Sequence, residues 1–542
     1  MKRAGLFLTI GLAVVISLLA LTSVSGSGHS SALVRRDPGI QQDADTGPAP
    51  TPTSSSTSPT YLVLIVLDGA RPDYFKISGI PHVKALIQRG TSYQNAWASI
   101  LESETPPGHM TIATGSEPRA GLIPGFSWAE ARQYQTIFDP ARIRAGDMEK
   151  LVRLSGVSTI AGQVKKADQT AKVVALGGYK YYANDALGGP DSDLTMYYDT
   201  TPKGWAPVYI PARPAPPKGL ITNPSVIAKS SNLPLGGGDH YAMKLASATF
   251  KKMHPRVMLM NLPEFDRPLG HDYGGNRDMP GAKTLMRSFD KDLGSLEALY
   301  RKAGILDRTV FVLTADHGMM PIYHRVPQNL IPDTITNAGG QIVYDNYSTG
   351  GYIWLKNPGK DKAAATAVTR LNFPYIQSVY YRAGAGPNAH YVRASSASRF
   401  RAFGVEAANQ YLLNTFNGSR GPDIVVFASE DTDTIGRRPL NMWKGDHGGA
   451  NWQAQHLPLF IAGPGVRSGY VSSYPARLED IAPTVLTLLR AEPGNMQGIP
   501  LADAIVQATP EQQTAQKAEG DVLASVIQAL KAQSRAELAA KL

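Results

Sequence analysis

Six side chains between residues 68 and 447 could share one reaction centre: Asp68, Asp266, His271, Asp316, His317 and His447. Three carboxylates and three imidazoles offer only oxygen and nitrogen ligands, a set that suits two divalent ions. Two ions about 3.5–4 Å apart can hold both the attacking and the leaving oxygen of an in-line displacement. Metal-assisted hydrolysis is therefore the chemistry these residues point to. A nucleophile is available in ILESETPPGHMTIATG, which carries Thr105. A threonine hydroxyl attacks poorly at neutral pH, and coordination to a metal is one way to generate its alkoxide. Pro106 and Pro107 fix the backbone after it, Gly108 allows close approach, and MTIAT is expected to start a helix whose N-terminus favours an anion. An anion cradle beside a metal-bound hydroxyl suits phosphoryl transfer.

The elements that must position these residues are strands. Asp68 closes YLVLIVLD, Asp266 follows VMLMNLPEF, Asp316 and His317 close TVFVLTADH, and His447 in KGDHGG precedes HLPLFIAGPG. Such apolar, β-branched runs predict parallel strands buried on both faces. Ligand crevices in open α/β sheets lie beyond the carboxyl ends of the strands, so residues distant in sequence converge there. Amphipathic stretches such as IPHVKALIQRG, DHYAMKLASATFKKM and GAKTLMRSFDKDLGSLEALYRKAG alternate with the strands. They predict a three-layer α/β/α sandwich around a central, mostly parallel sheet, with Asp239 read as an N-cap of the second.

This catalytic core is expected over 61–320 and 441–509. Within 321–440 the pattern changes to short strands, GGQIVYDNYSTGGYIWL, YIQSVYYRA and DIVVFAS, with one Ala-rich helix at DKAAATAVTRL. That predicts a small α+β subdomain inserted beside the site. Residues 510–542, rich in Ala, Gln, Lys and Glu, predict a surface helix of little functional meaning. At the other end, Lys2, Arg3 and the apolar run AGLFLTIGLAVVISLLALTSV make 1–25 an export signal or an uncleaved membrane anchor. The Ser/Thr/Pro-rich stretch 26–60 cannot bury enough apolar surface to fold and reads as a tether. Localisation is accordingly expected outside the cytoplasm, secreted or tethered to the cell surface.

Composition excludes other classes. With no cysteine among 542 residues, disulfides, thiolate ligands and cysteine nucleophiles are ruled out. The net charge of +10 favours anionic substrates, but it is spread along the chain without a basic run that would make a nucleic-acid-binding module.

The segments VLDGARPDYF, ETPPGHMTIATG, NLPEFDRPLGH, LTADHGM, GDHGG and LPLFIAGPGV, with DIAPTVLTLL behind them, resemble the alkaline phosphatase superfamily. Within it they are most similar to the type I phosphodiesterase and nucleotide pyrophosphatase branch. The resemblance implies that Asp68, Asp316 and His317 bind one Zn²⁺ together with the nucleophile Thr105. It also implies that Asp266, His271 and His447 bind a second, and that turnover passes through a phosphothreonine.

The chain departs from that pattern near the phosphate. Gly108 stands where the branch usually has Asn, Pro106 offers no N–H, and Lys180 in ALGGYKYYAND is a partial substitute for the Lys-x-Arg pair of single-Thr monoesterases. Gly108 and Lys180 are thus the candidate substrate contacts. Asp266 and His271 are separated by one residue more than in nucleotide pyrophosphatases, which keeps Glu264 as a register alternative. The expected activity is hydrolysis of a small-molecule phosphate ester, with a lean to diesters. The alternatives are an alkaline-phosphatase-type monoesterase, a phosphomutase and a noncatalytic surface binding protein.

Overall fold

The computed structural model describes residues 61–541 except 202–203, 211–213, 221–234, 395–400, 417 and 437–442. The N-terminal signal or anchor and the tether lie outside the described residues. Nine strands form the main sheet: β1 Tyr61–Leu67, β2 Gly90–Tyr93, β3 Val173–Gly177, β4 Leu194–Thr201, β5 Gly204–Tyr209, β6 Val257–Leu262, β7 Thr309–Thr314, β8 Leu459–Ala462 and β9 Tyr470–Ser472. Their order across the sheet is β9-β2-β8-β7-β1-β6-β3-β4-β5. The central strands β7, β1, β6 and β3 run parallel, while β8 and β5 are antiparallel to their neighbours. The sequence is almost continuously apolar along β1 and β6, Asn261 in β6 being the exception, because both faces of these strands are covered.

Register decides where the chemistry falls. Leu67 pairs with Leu262 and Val66 with Thr314, so the residues that follow β1, β6 and β7 all leave the same sheet edge. Helices Pro81–Gln88, Gly237–Met253 and Pro280–Lys302 pack as one group, and Thr105–Thr114, Ile160–Ala167, Tyr181–Gly188 and Ile481–Leu488 as another. These two groups and the sheet make up the expected α/β/α sandwich.

A second sheet holds five antiparallel strands in the order Ile342–Tyr347, Gly350–Leu355, Ile424–Ala428, Ile376–Ala383 and His390–Arg393. One helix was expected in this region, and among the described residues three are present: Leu330–Asn337, Asp361–Arg370 and Val405–Leu412. Leu330–Asn337 is short and begins without a side-chain cap, which left no helix-start signal to read.

The C-terminal helix Pro510–Ala539 is more than a surface element. Thr509 and Gln512 cap each other's backbone at its start. It buries Leu523, Val526, Ile527 and Leu530. Glu519 pairs with Arg477 of the core, and Glu537 accepts from Glu430 N and Gln377 Nε2 of the second sheet. The helix therefore ties the two sheets together. Among the described residues no helix is long and apolar enough to cross a membrane.

Candidate metal centre and nucleophile

The nucleophile helix starts at Thr105 itself rather than after Gly108, with the two prolines in its first turn, where no N–H donor is required. Gly115 closes it in the left-handed conformation. Gly108 has a packing reason to be glycine. A Cβ there would meet the Asp316 carbonyl oxygen at 2.6 Å, and its N–H is taken by Glu104 O. Gly69, at φ +68°, likewise lets the chain turn after Asp68 with Asp266 and His317 close against it.

Asp68, Thr105, Asp266, His271, Asp316, His317 and His447 are all buried together at the carboxyl edge of the sheet. Their ligand atoms form overlapping groups within 4.8 Å of one another: Asp68, Asp316 and His317; Asp266, His317 and His447; and His271, Asp446 and His447. The first is the trio expected for one ion. The other expected trio is divided between the remaining two groups and converges on Asp266 Oδ1, which lies 3.2 Å from His271 Nε2 and 3.5 Å from His447 Nε2. Asp446 joins as a further carboxylate.

The extra residue between Asp266 and His271 is absorbed by a wide turn. His271 N donates to Asp266 O, five residues back, which returns both side chains to one face. Glu264 points elsewhere and accepts from Asp239 N at 2.9 Å. Asp239 is therefore a buried partner of Glu264 and not the N-cap, which is Gly236.

The imidazoles are aimed by backbone carbonyls. The Nδ1 atoms of His271, His317 and His447 lie 2.8, 2.9 and 3.0 Å from the carbonyl oxygens of Gly445, Gly318 and Ser103. Each Nε2 is left to face the carboxylates, as metal-binding histidines require. Asp266 Oδ1, Asp316 Oδ2 and His317 Nε2 are buried without a hydrogen-bond partner. Buried polar atoms left orphaned together call for a cation between them. The donor set thus fits divalent ions held at Asp68, Asp316 and His317 on one side and at Asp266, His271 and His447 on the other.

Lys180 stands between the two sides. Its Nζ donates to Asp68 Oδ1 at 2.8 Å, Thr105 Oγ at 2.9 Å and Asp266 Oδ2 at 2.6 Å, which uses all three ammonium protons. Burial alone would lower its pKa, but Asp266 and Asp68 hold it well above the ordinary value. Burial opposes ionisation of Asp266 too, and His271 and Lys180 overcome it, leaving this carboxyl well below its usual range. His317 is raised to about 9 against burial by Asp316 and Asp68, whereas burial and the stacked His317 ring, 3.5 Å away, push His447 down.

Sequence reasoning kept His109 off the ligand list as a residue behind the ligands or at the helix start, and missed Asn261, Glu102 and Glu104. Asn261 donates to Asp68 Oδ2, and His109 reaches Thr105 O and Asp316 Oδ2. Glu102 and Glu104 flank the nucleophile. Burial pushes Glu102 well above the ordinary value and Glu104 to about 8. Their one signal was the pattern E-S-E-T, two acids beside the reactive hydroxyl. His240 and His324 pair with Asp292 and Asp431, and His456 faces Gln94 O, so none of these joins the centre.

Residues 62–450 match the family model for type I phosphodiesterase / nucleotide pyrophosphatase. The chain belongs to this family. It is a phosphoric ester hydrolase of the alkaline phosphatase superfamily. No curated protein matches it. Among solved structures, the wild-type alkaline phosphatase PafA is 17% identical with a TM-score of 0.63, the match covering 83% of this chain and 99% of that one. Human ectonucleotide pyrophosphatase / phosphodiesterase 5 is 18% identical at a TM-score of 0.53, covering 81% and 97%. An inactive form of the murine protein, solved in complex with AMP, is 15% identical at 0.55, again covering 81% and 97%. At these identities the likeness is one of fold.

Proposed function

We propose that the chain is an exported, metal-dependent hydrolase of small-molecule phosphate esters in which Thr105 is the nucleophile. The observation that carries this reading is the placement of Thr105 Oγ at a helix N-terminus, 3.4 Å from Asp68 Oδ1 and 2.9 Å from Lys180 Nζ, in a centre where Asp266 Oδ1, Asp316 Oδ2 and His317 Nε2 are buried without hydrogen-bond partners. Asp68, Asp316 and His317 hold one divalent ion and Asp266, His271 and His447 the other, with zinc favoured by the family. When bound, such ions supply the positive charge that stabilises the nucleophile and the leaving oxygen.

The protein's own groups do the rest. Lys180 donates to Thr105 Oγ and favours its ionised form. The oxygen attacks phosphorus as the ester P–O bond breaks, the hydroxyl proton is given up to solvent, and the leaving oxygen takes a proton from solvent as the alcohol or nucleotide departs. Water then cleaves the phosphothreonine and restores the hydroxyl. The helix Thr105–Thr114 directs its N-terminus at the developing charge.

A lean to diesters follows from the shortage of free donors. Pro106 and Pro107 have no N–H, that of Gly108 is taken, and the protons of Lys180 are spent on Asp68, Asp266 and Thr105. A monoester brings one more negative charge than a diester, and few free donors are left to meet it. Purified residues 61–542, assayed with an aryl phosphate monoester against a diester, with chelation and zinc restoration, test the reading. Faster diester turnover that is lost on chelation supports it. Turnover indifferent to chelation contradicts it, and preferred turnover of the monoester would return the chain to the phosphomonoesterase alternative.

A further inference from the structure

Asp68 and Asp316 are the two carboxylates of one ligand group, and what orients them is a pair of side chains with no role assigned so far. Asn261, the fifth residue of β6, has its Nδ2 2.8 Å from Asp68 Oδ2 and 2.8 Å from His109 Nε2. The amide has one sensible orientation. Turned over, it would set its oxygen against a carboxylate oxygen at the same distance, two acceptors without a proton between them. With the NH₂ facing both partners, His109 Nε2 must accept, and its proton therefore sits on Nδ1. That Nδ1–H lies 2.7 Å from Thr105 O and 3.2 Å from Asp316 Oδ2. Gly69 N holds the other Asp316 oxygen at 3.1 Å.

Hydrogen bonds thus run from Asp68 through Asn261 to His109 and on to the nucleophile's own carbonyl, with His109 Nδ1 also 3.2 Å from Asp316 Oδ2. Asn261, His109, Asp68 and Asp316 are all fully buried. Asn261 carries no charge, so it orients Asp68 without cancelling the charge that attracts a cation. Lys180, by contrast, meets Asp68 through Oδ1 and with full charge.

We propose that Asn261 and His109 are positioning residues that preset Asp68 and Asp316 for a divalent ion and fix the first turn of the nucleophile helix relative to it. The proposal rests on the two-ion reading above. Partners one step behind metal ligands typically change affinity by about 10- to 100-fold when removed.

The test is zinc affinity in the full chain, measured by competition with a chromophoric chelator, beside zinc content and the melting temperature of the metal-free protein. In Asn261→Leu, one of the two ions is expected to bind about 10- to 100-fold more weakly, the other as in wild type, with the metal-free melting temperature nearly unchanged. His109→Asn keeps a donor near the Nδ1 position but gives Asn261 no acceptor, so a smaller loss at the same ion is expected. It decides the matter by itself should Asn261→Leu not fold. The double variant should lose less than the two losses combined, because both act through one chain of hydrogen bonds. Wild-type affinities in both variants, or equal weakening of both ions, would overturn the proposal. A wild-type chain that binds no zinc, manganese or iron would instead bring down the two-ion reading on which it depends.

Discussion

The two ligand groups of this centre are built in different ways. Asp68, Asp316 and His317 leave adjacent strands whose register is set by continuous ladders, and all three are fully buried. Asp266, His271 and His447 come instead from a wide helical turn after β6 and from a segment beyond the second sheet. His447 is placed by the short pairing of Gly445–Asp446 with Met320–Pro321 and by Ser348 Oγ, which donates to its carbonyl at 2.6 Å. The first group is a property of the sandwich alone. The second needs the insertion, and the C-terminal helix that fastens the insertion down, to be in place. Ligands on strand ends resist disturbance, while those on loops follow whatever packs behind the loop. Damage to the insertion should therefore reach one ion and spare the other.

The largest effect is expected at the residue between the groups. Thr105→Ala should lower multiple-turnover hydrolysis by at least about 10³-fold while leaving metal content near wild type, since three protein ligands remain on that side. Turnover and metal content measured on one preparation check this. Next, His447→Ala should empty the second group and remove most activity, because two side chains hold a divalent ion poorly. Retention of both ions with normal turnover would mean that Asp446, which already sits among these ligand atoms, substitutes for it.

Lys180→Ala is expected to have a smaller effect. Since Nζ serves the nucleophile and one carboxylate from each group, kcat/KM should fall for monoesters and diesters alike, by about 1–3 kcal/mol in barrier terms. A loss confined to monoesters would show that the ammonium leaves Thr105 for the phosphate during turnover.

How far the sequence could be read follows the same division. The strand-end acids were visible because a carboxylate that closes a fully apolar run is conspicuous, and the fold followed from alternating strand and helix patterns. The wide turn from Asp266 to His271 looked like a register problem because spacing alone does not reveal an i to i+5 hydrogen bond. Asn261 was hidden inside an apolar strand, and its partner His109 lies 152 residues away on a helix that comes into contact only on folding. The central place of Lys180 was equally invisible, since its three acceptors come from separate elements. Even so, the composition of YKYYAND marked it as the one basic residue of that turn. The role of the C-terminal helix was missed because the hydrogen bonds that fasten it to the second sheet and the segments flanking that sheet are made by polar residues, Gln533 and Glu537, which read as solvent-facing.

The smallest effect concerns that fastening. Glu430, which donates its N–H to Glu537, has its carboxyl raised from 4.5 to about 7 by burial and by the Glu537 charge. The folded state thus holds this proton more tightly than the unfolded one, so stability falls as pH rises from about 4.5 to about 7 and stays lost above that range. Glu430→Gln should remove this component and stabilise the protein at pH 8 by about 1–3 kcal/mol, with little difference at pH 4. Urea unfolding of both forms at the two pH values checks the sign. Equal stability differences at both would place the origin outside this carboxyl.

The central claim is that Thr105 carries the phosphoryl group during turnover. Acid quenching of the zinc-loaded enzyme during hydrolysis of an aryl phosphodiester, followed by mass spectrometry of its peptides, tests it most directly. The account predicts a phosphorylated residue in the peptide containing Thr105, absent without substrate and absent in Thr105→Ala. Steady turnover by Thr105→Ala, or a phosphoryl group on any other residue, would contradict it.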